Sequence, residues 1–155
     1  MPRLDAERID LWRRFCMISA HVQRLIDQQL TELHNVPLAW YDVLTVVRDA
    51  GGSIRVRELC RLLDEVPSSL SRRLDRMEDD DLIERRKAPR PDDRRAVEVA
   101  MTTEGRYAWR DANITYRRLV QHHFASSLTD TDISALQRLW TKLQRDDPPP
   151  PDDDW

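Results

Sequence analysis

The sequence predicts a mainly α protein with one small β-hairpin, on three observations. Apolar residues recur at three- and four-residue steps near both ends of the 155-residue chain. Two short helical patterns occupy its middle, and a charged stretch over residues 82–106 alternates like a pair of strands. Two short helices leading into a hairpin is the order of a helix-turn-helix with a wing.

The first element is a helix from about Asp5 to His34, carried by Leu11, Phe15, Ile18, Val22, Leu25, Ile26, Leu30 and Leu33 and closed before Asn35 and Pro37. A helix this long with a sustained apolar stripe calls for a partner running beside it, which points to a dimer interface. A second helix, about Leu38 to Asp49, turns Val43, Leu44, Val46 and Val47 inward, and Gly51-Gly52 supply the positive φ that ends it. Ser53-Ile54-Arg55 can form a minimal strand. Short helices follow from Val56 to Leu63 and from about Pro67 to Asp79.

The hairpin consists of a strand from Ile83 to Lys87, a tip over Pro89-Arg90-Pro91-Asp92-Asp93-Arg94, and a return strand through Val97-Glu98-Val99. The alternation Val97, Val99, Met101 buries one face, while Pro89 and Pro91 lack donors and confine the hairpin to an exposed edge. Between Arg85 and Arg95 there are six basic and two acidic residues, +4 locally in a chain of formal charge −3. Such a finger suits phosphate, and its arginines suit a narrow minor groove. A polar hairpin that merely prevents edge pairing is the plainer alternative.

Thr102 caps a further helix to about Phe124, with Tyr107, Trp109, Ile114, Leu119 and Val120 as its apolar content. Thr129 caps the last, which carries Ile133, Leu136, Leu139, Trp140 and Leu143 behind the acids Asp130 and Asp132. Residues 146–155, five acids and four prolines before Trp155, cannot bury a core and should be disordered or polyproline-like.

Composition fits one globular unit, at 40% apolar and 34% charged. No apolar run approaches membrane length and no signal peptide is evident, so a cytoplasmic protein without membrane contact is expected. The acidic pI near 5.8 owes much to residues 146–155. Without their five acids the sum is 25 − 23, or +2.

On a helical wheel, Leu70, Leu74 and Met77 share one face of the helix over 67–79. Ser68, Ser69, Arg72 and Arg76 then lie opposite, with Ser71 at the edge. Small hydroxyl residues let a helix approach base edges, and Arg72 can reach guanine O6 and N7 with its two-pronged donor set. Arg73 lies nearer the core edge and suits phosphate contact or packing of the stem. A solvated helix face is the bland reading; its place before a hairpin favours double-stranded DNA.

Asp93-Arg94-Arg95 looks like the Asp, any residue, Arg signature in the wing of one family, and Val99-Ala100-Met101-Thr102-Thr103-Glu104-Gly105 is similar to its strand-to-helix exit. In these residues, and in element order over nearly the whole chain, the sequence resembles the MarR family of winged-helix bacterial transcriptional regulators. The resemblance implies a winged helix-turn-helix on an intertwined helical dimer base. Residues 5–34 and 103–144 would be the dimerisation helices, and 38–101 the DNA-binding winged module of one regulator domain over 1–145. It implies a homodimer, a repressor released by a small molecule, and a pseudo-palindromic operator. It also implies an Asp93–Arg95 pair that holds the wing while tip residues touch DNA. The DNA-binding candidates are thus Ser68, Ser69, Ser71, Arg72, Arg73, Arg76, Lys87, Arg90, Asp93, Arg94 and Arg95. Trp12, Trp40 and Tyr41 could line a cleft for an aromatic effector, or be plain core. Asp81 departs from the family by standing where glycine commonly ends the recognition helix, although Asp tolerates left-handed geometry. Glu65-Val66-Pro67 replaces the usual polar cap, with Pro67 able to occupy the first turn.

Catalysis and cofactors are not expected, since no Ser/His/Asp set or phosphate loop can be assembled and the glycines are only Gly51, Gly52 and Gly105. His122 and His123 are helix neighbours that point apart, a poor metal pair. Cys16 and Cys60 lack metal-ligand spacing and read as buried, inert thiols. From another class, a protein-interaction module built on a degenerate winged helix is the competing reading.

Overall fold

A computed structural model describes residues 5–87 and 97–145. Helix α1 (Ala6–His34) starts at Asp5, whose carboxylate accepts from the Arg8 amide at 2.9 Å, and stops at Asn35 in the left-handed region. Then come α2 (Leu38–Asp49), strand β1 (Ser53–Arg55), α3 (Val56–Leu63), α4 (Pro67–Asp79), β2 (Ile83–Lys87), β3 (Val97–Met101), α5 (Thr103–His123), a 3-10 turn (Ala125–Ser127) and α6 (Asp130–Arg145). The mainly helical fold with a small antiparallel wing is as expected. The sheet has three strands in the order β1-β3-β2, because Ser53–Arg55 pairs with Ala100–Glu98 on the far side of the hairpin. β2 is therefore an edge strand.

Turn chemistry sets the angles between these elements. Gly51 and Gly52 take φ of 92° and 102°, and their amides close on Arg48 and Val47 carbonyls at 2.9 Å, ending α2. Asp64 and Asp81, at φ of 52° and 57°, do the same work after α3 and α4 without glycine. Pro67 fills the first turn of α4, and Val66 offers no side-chain cap.

One core lies under the winged module. Leu44, Leu59, Leu70, Leu74, Met77, Ile83 and Val99 are fully buried there, and Ile26 and Leu30 from the last turns of α1 close it from above. The module joins α5 through a tight seam. Thr102 donates to the Asp81 carbonyl at 2.5 Å and accepts from the Gly105 amide at 2.9 Å, and a Cβ on Gly105 would lie 2.0 Å from the Leu82 carbonyl oxygen. Glycine is required at that contact by space, not by φ.

One expectation about burial fails. Cys60 is buried and its thiol pushed up by burial, but Cys16 is exposed, as are Phe15, Met17 and Ile18 around it. The N-terminal half of α1 simply runs past the core of a single chain. In α5 the buried face is Gly105, Ala112, Thr115 and Leu119, whereas Tyr107 and Ile114 point outward and Trp109 and Val120 are half-buried. α6 has the expected start, with the Thr129 amide donating to Asp132 at 2.9 Å and the Asp132 amide to Thr129 at 3.3 Å, and Ile133, Leu139, Trp140 and Leu143 stay exposed.

Candidate nucleic-acid interface

Helix α4 divides as its periodicity requires. Leu70, Leu74 and Met77 bury against the module core, which leaves Ser68, Ser69, Ser71, Arg72 and Arg76 on the exposed side. Arg72 and Arg76 stand one turn apart on that face. Arg73 is half-buried and its guanidinium is committed to Glu65 at 2.5 Å, across the turn between α3 and α4. Asp42 of α2 adds its field to this pair. Although Asp42 keeps an exposed edge, the packed surroundings on its inner side raise its carboxyl, with Arg73 pulling the other way.

The end of α4 is acidic. Asp75, Glu78, Asp79, Asp80 and Asp81 follow within seven positions, so the positive, small-residue surface belongs to the first three turns. Arg85 on β2 turns back toward these acids instead of outward. Its guanidinium donates from Nη2 to Asp75 at 2.6 Å and to Glu78 at 2.7 Å, and from Nε to Glu78 at 2.9 Å. Its backbone amide donates to the other Glu78 oxygen at 2.8 Å. These bonds, the amide bond foremost, hold the Glu78 carboxyl below its usual value. Arg86 pairs with Glu84 on the surface, and Lys87 is exposed at the strand end. Arg90, Asp93, Arg94 and Arg95 lie outside the described residues.

Residues 34–96 match the sequence profile of the MarR family. Over that stretch, which is the winged module, the chain is similar to the MarR family. Solved structures extend the likeness to the terminal helices. A cysteine-to-serine variant of MarR from E. coli, complexed with operator DNA, is 29% identical with a TM-score of 0.76, covering 92% of this chain and 99% of that one. Sco3205 from Streptomyces coelicolor, a MarR family regulator in complex with DNA, is 21% identical with a TM-score of 0.87 over 99% of this chain and 97% of that one. The organohalide-sensing regulator RdhR in its 2,4-dichlorophenol-bound form is 23% identical with a TM-score of 0.77, over 94% and 85%. The last two likenesses concern the fold alone. No curated protein sequence matches the chain.

The three aromatic candidates do not form one group. Trp12 is 65% exposed and stacks on Phe15 near the start of α1, fourteen residues and so about 21 Å along the helix from the first buried residue, Ile26. Trp40 is half-buried against the core. Tyr41 is buried between α2 and α5, stacked on Tyr116 at 4.5 Å between centroids and on Trp109 at 6.5 Å, with its hydroxyl donating to Asn113 at 2.8 Å. Burial raises the phenols of Tyr41 and Tyr116 alike. Trp109 donates to Thr45 at 3.0 Å, and Arg48 covers its ring at 4.1 Å. The sequence could have offered Trp109 and Tyr116 as companions of Tyr41, since they lie seven residues apart on one helix face. Among the described residues no group of His, Cys, Asp and Glu could hold a metal ion, and no helix is long and apolar enough to cross a membrane.

Proposed function

We propose that this MarR-family regulator acts as a homodimer on a pseudo-palindromic DNA operator, reading base edges with α4 and flanking phosphates with the wing. The observation that carries this is the exposed face of Ser68, Ser69, Ser71, Arg72 and Arg76, set beside the root of a basic hairpin in a family-matched module. The E. coli MarR variant bound to operator DNA supports the same use of the fold. Lys87, Arg90, Asp93, Arg94 and Arg95 complete the interface in this reading, with Arg73 positioned through Glu65. Titration of operator fragments and scrambled DNA at two salt concentrations tests it. Steep salt dependence with tighter operator binding is expected. Equal affinity for both DNAs would favour the protein-interaction reading.

The second copy is argued from uncovered apolar surface. Leu11, Trp12, Phe15, Ile18, Ile114, Ile133, Leu139, Trp140 and Leu143 are between 43% and 69% exposed in a single chain. A soluble protein does not leave that much on three helices, and symmetry-related copies would cover it. Sedimentation equilibrium at micromolar concentration should give a dimer, and a well-folded monomer would sink the proposal. Repression relieved by a small aromatic effector is the regulatory part, supported by the dichlorophenol-bound neighbour and by the Tyr41, Trp109 and Tyr116 stack joining the α5 base to the module. Trp12 lies too far along α1 to share that site within one chain.

A further inference from the structure

We propose that Arg85 is a positioning residue, gripping Glu78 and Asp75 of α4 so that the recognition helix and the wing move as one body. The inference rests on the proposed function for its DNA readout, not for the contact itself.

Counted by charge, Arg85 belongs to the wing's basic patch. Its geometry says otherwise. Both oxygens of Glu78 are engaged by this one residue, Oε1 by the backbone amide and Oε2 by Nε and Nη2 of the guanidinium, and Nη2 also takes Asp75. The Nε–Nη2 edge of the guanidinium is thus committed to carboxylates and is not presented to a phosphate. The amide bond matters as much. β2 is the edge strand of the sheet, so its outward N–H groups have no strand to pair with. Glu78 supplies the missing acceptor from the last turn of α4, and the wing root thereby becomes anchored at the backbone. Asp75 and Glu78 are three residues apart on one face of α4, which lets one arginine span both. The hairpin leaves the module within eight residues of the end of α4, so a rotation at its root would swing the distal residues across the neighbouring groove.

Two substitutions separate positioning from simple charge. Glu78→Gln and Glu78→Ala each remove one negative charge beside the proposed DNA surface and leave Asp75 as the remaining carboxylate on Arg85. If charge alone counts, both tighten binding to operator and to scrambled DNA by similar factors. The clamp gives the opposite sign. Glu78→Ala, which leaves no acceptor, should weaken operator binding about three- to tenfold, and Glu78→Gln, which keeps a neutral acceptor, by less. Hydroxyl-radical protection of the minor groove flanking each half-site should fade in Glu78→Ala while methylation protection of major-groove guanines persists; a merely destabilised fold would lose both. Independently of DNA, hydrogen exchange of the strand over residues 83–87 should quicken in Glu78→Ala. Tighter binding by either variant, or unchanged exchange of that strand, overturns the clamp. If the wild-type protein binds no DNA, the proposed function fails and the exchange measurement alone decides the clamp.

Discussion

The winged module and the terminal helices bury their apolar residues in different ways. Between α2 and β3 the chain closes on itself, and Leu44, Leu59, Leu70, Leu74 and Val99 reach full burial within one copy. In α1, α5 and α6 the stripes are just as regular, yet Leu11, Ile18, Ile114 and Trp140 remain more than half exposed. The module closes its core within one chain, whereas the terminal helices leave apolar surface uncovered that the proposed second copy would cover. In the proposed dimer one region carries the reading surface and the other sets its spacing.

The sharpest way to break this contrast is a pair of truncations. Leu74→Ala should lower unfolding free energy by about 2–5 kcal/mol, from lost burial and the cavity left behind, independently of protein concentration. Trp140→Ala should shift the thermal midpoint by an amount that grows on dilution if, as proposed, its partner atoms belong to a second copy. Calorimetry of both variants over a hundredfold concentration range compares them. A concentration-independent loss in Trp140→Ala would mean that α6 packs on its own chain.

At the seam between the regions, Gly105→Ala should cost about 1–3 kcal/mol, since the added methyl meets a backbone carbonyl that cannot step aside. Chemical denaturation reads it. A neutral outcome would show that α5 can slide against the turn at Leu82, and that the seam is looser than its hydrogen bonds suggest.

On DNA, Arg72→Ala should cost about 1–3 kcal/mol on the operator and relax preference at one symmetric pair of positions. Replacing Arg90 or Arg94 should instead weaken operator and scrambled DNA together and reduce the salt slope by about one unit per lost contact. Unchanged operator affinity in both Arg72→Ala and Arg94→Ala would be fatal to the assignment of this surface.

The smallest expected effect is one of pH. The folded carboxyl of Glu78 lies below its ordinary value of 4.5, so the Arg85 contact stabilises the protein above that value and is lost as pH falls through the folded one. Urea midpoints from about pH 6 to 3 should fall less steeply in Glu78→Gln than in the wild type. Parallel curves would mean that the contact persists in the unfolded chain or adds nothing.

Much of this architecture was legible in the sequence because local rules decide it. The ends of α2, α3 and α4 fall where Gly51, Asp64 and Asp81 can take positive φ, and the inward faces follow from spacing alone. The unread parts all depend on how elements meet. Ser53–Arg55 reads as a strand from the sequence, but its pairing with β3 requires the hairpin to fold back beside it. The Arg85 clamp spans seven and ten residues across a turn, a distance at which periodicity carries no signal. Cys16 was misjudged for a related reason: an apolar neighbourhood in sequence becomes a buried one only where something covers it, and none of the described residues covers Cys16. Trp12, Trp40 and Tyr41 looked alike as aromatics near helix junctions, but a rigid helix keeps Trp12 remote from the other two.

The acids closing α4 carry a last consequence. Helix C-termini favour cations, so Asp79, Asp80 and Asp81 oppose the helix dipole, and only Glu78 and Asp75 are compensated by Arg85. Lysines in those three places would make a sturdier helix. They would also make a stickier one on every stretch of duplex, since sequence-independent attraction grows with each neutralised phosphate. A regulator has to find a few sites among millions of wrong ones, and its search time is governed by how quickly it lets go. In the proposed regulator an acidic end to α4 would shorten each mistaken stay, exchanging a little helix stability for a faster search.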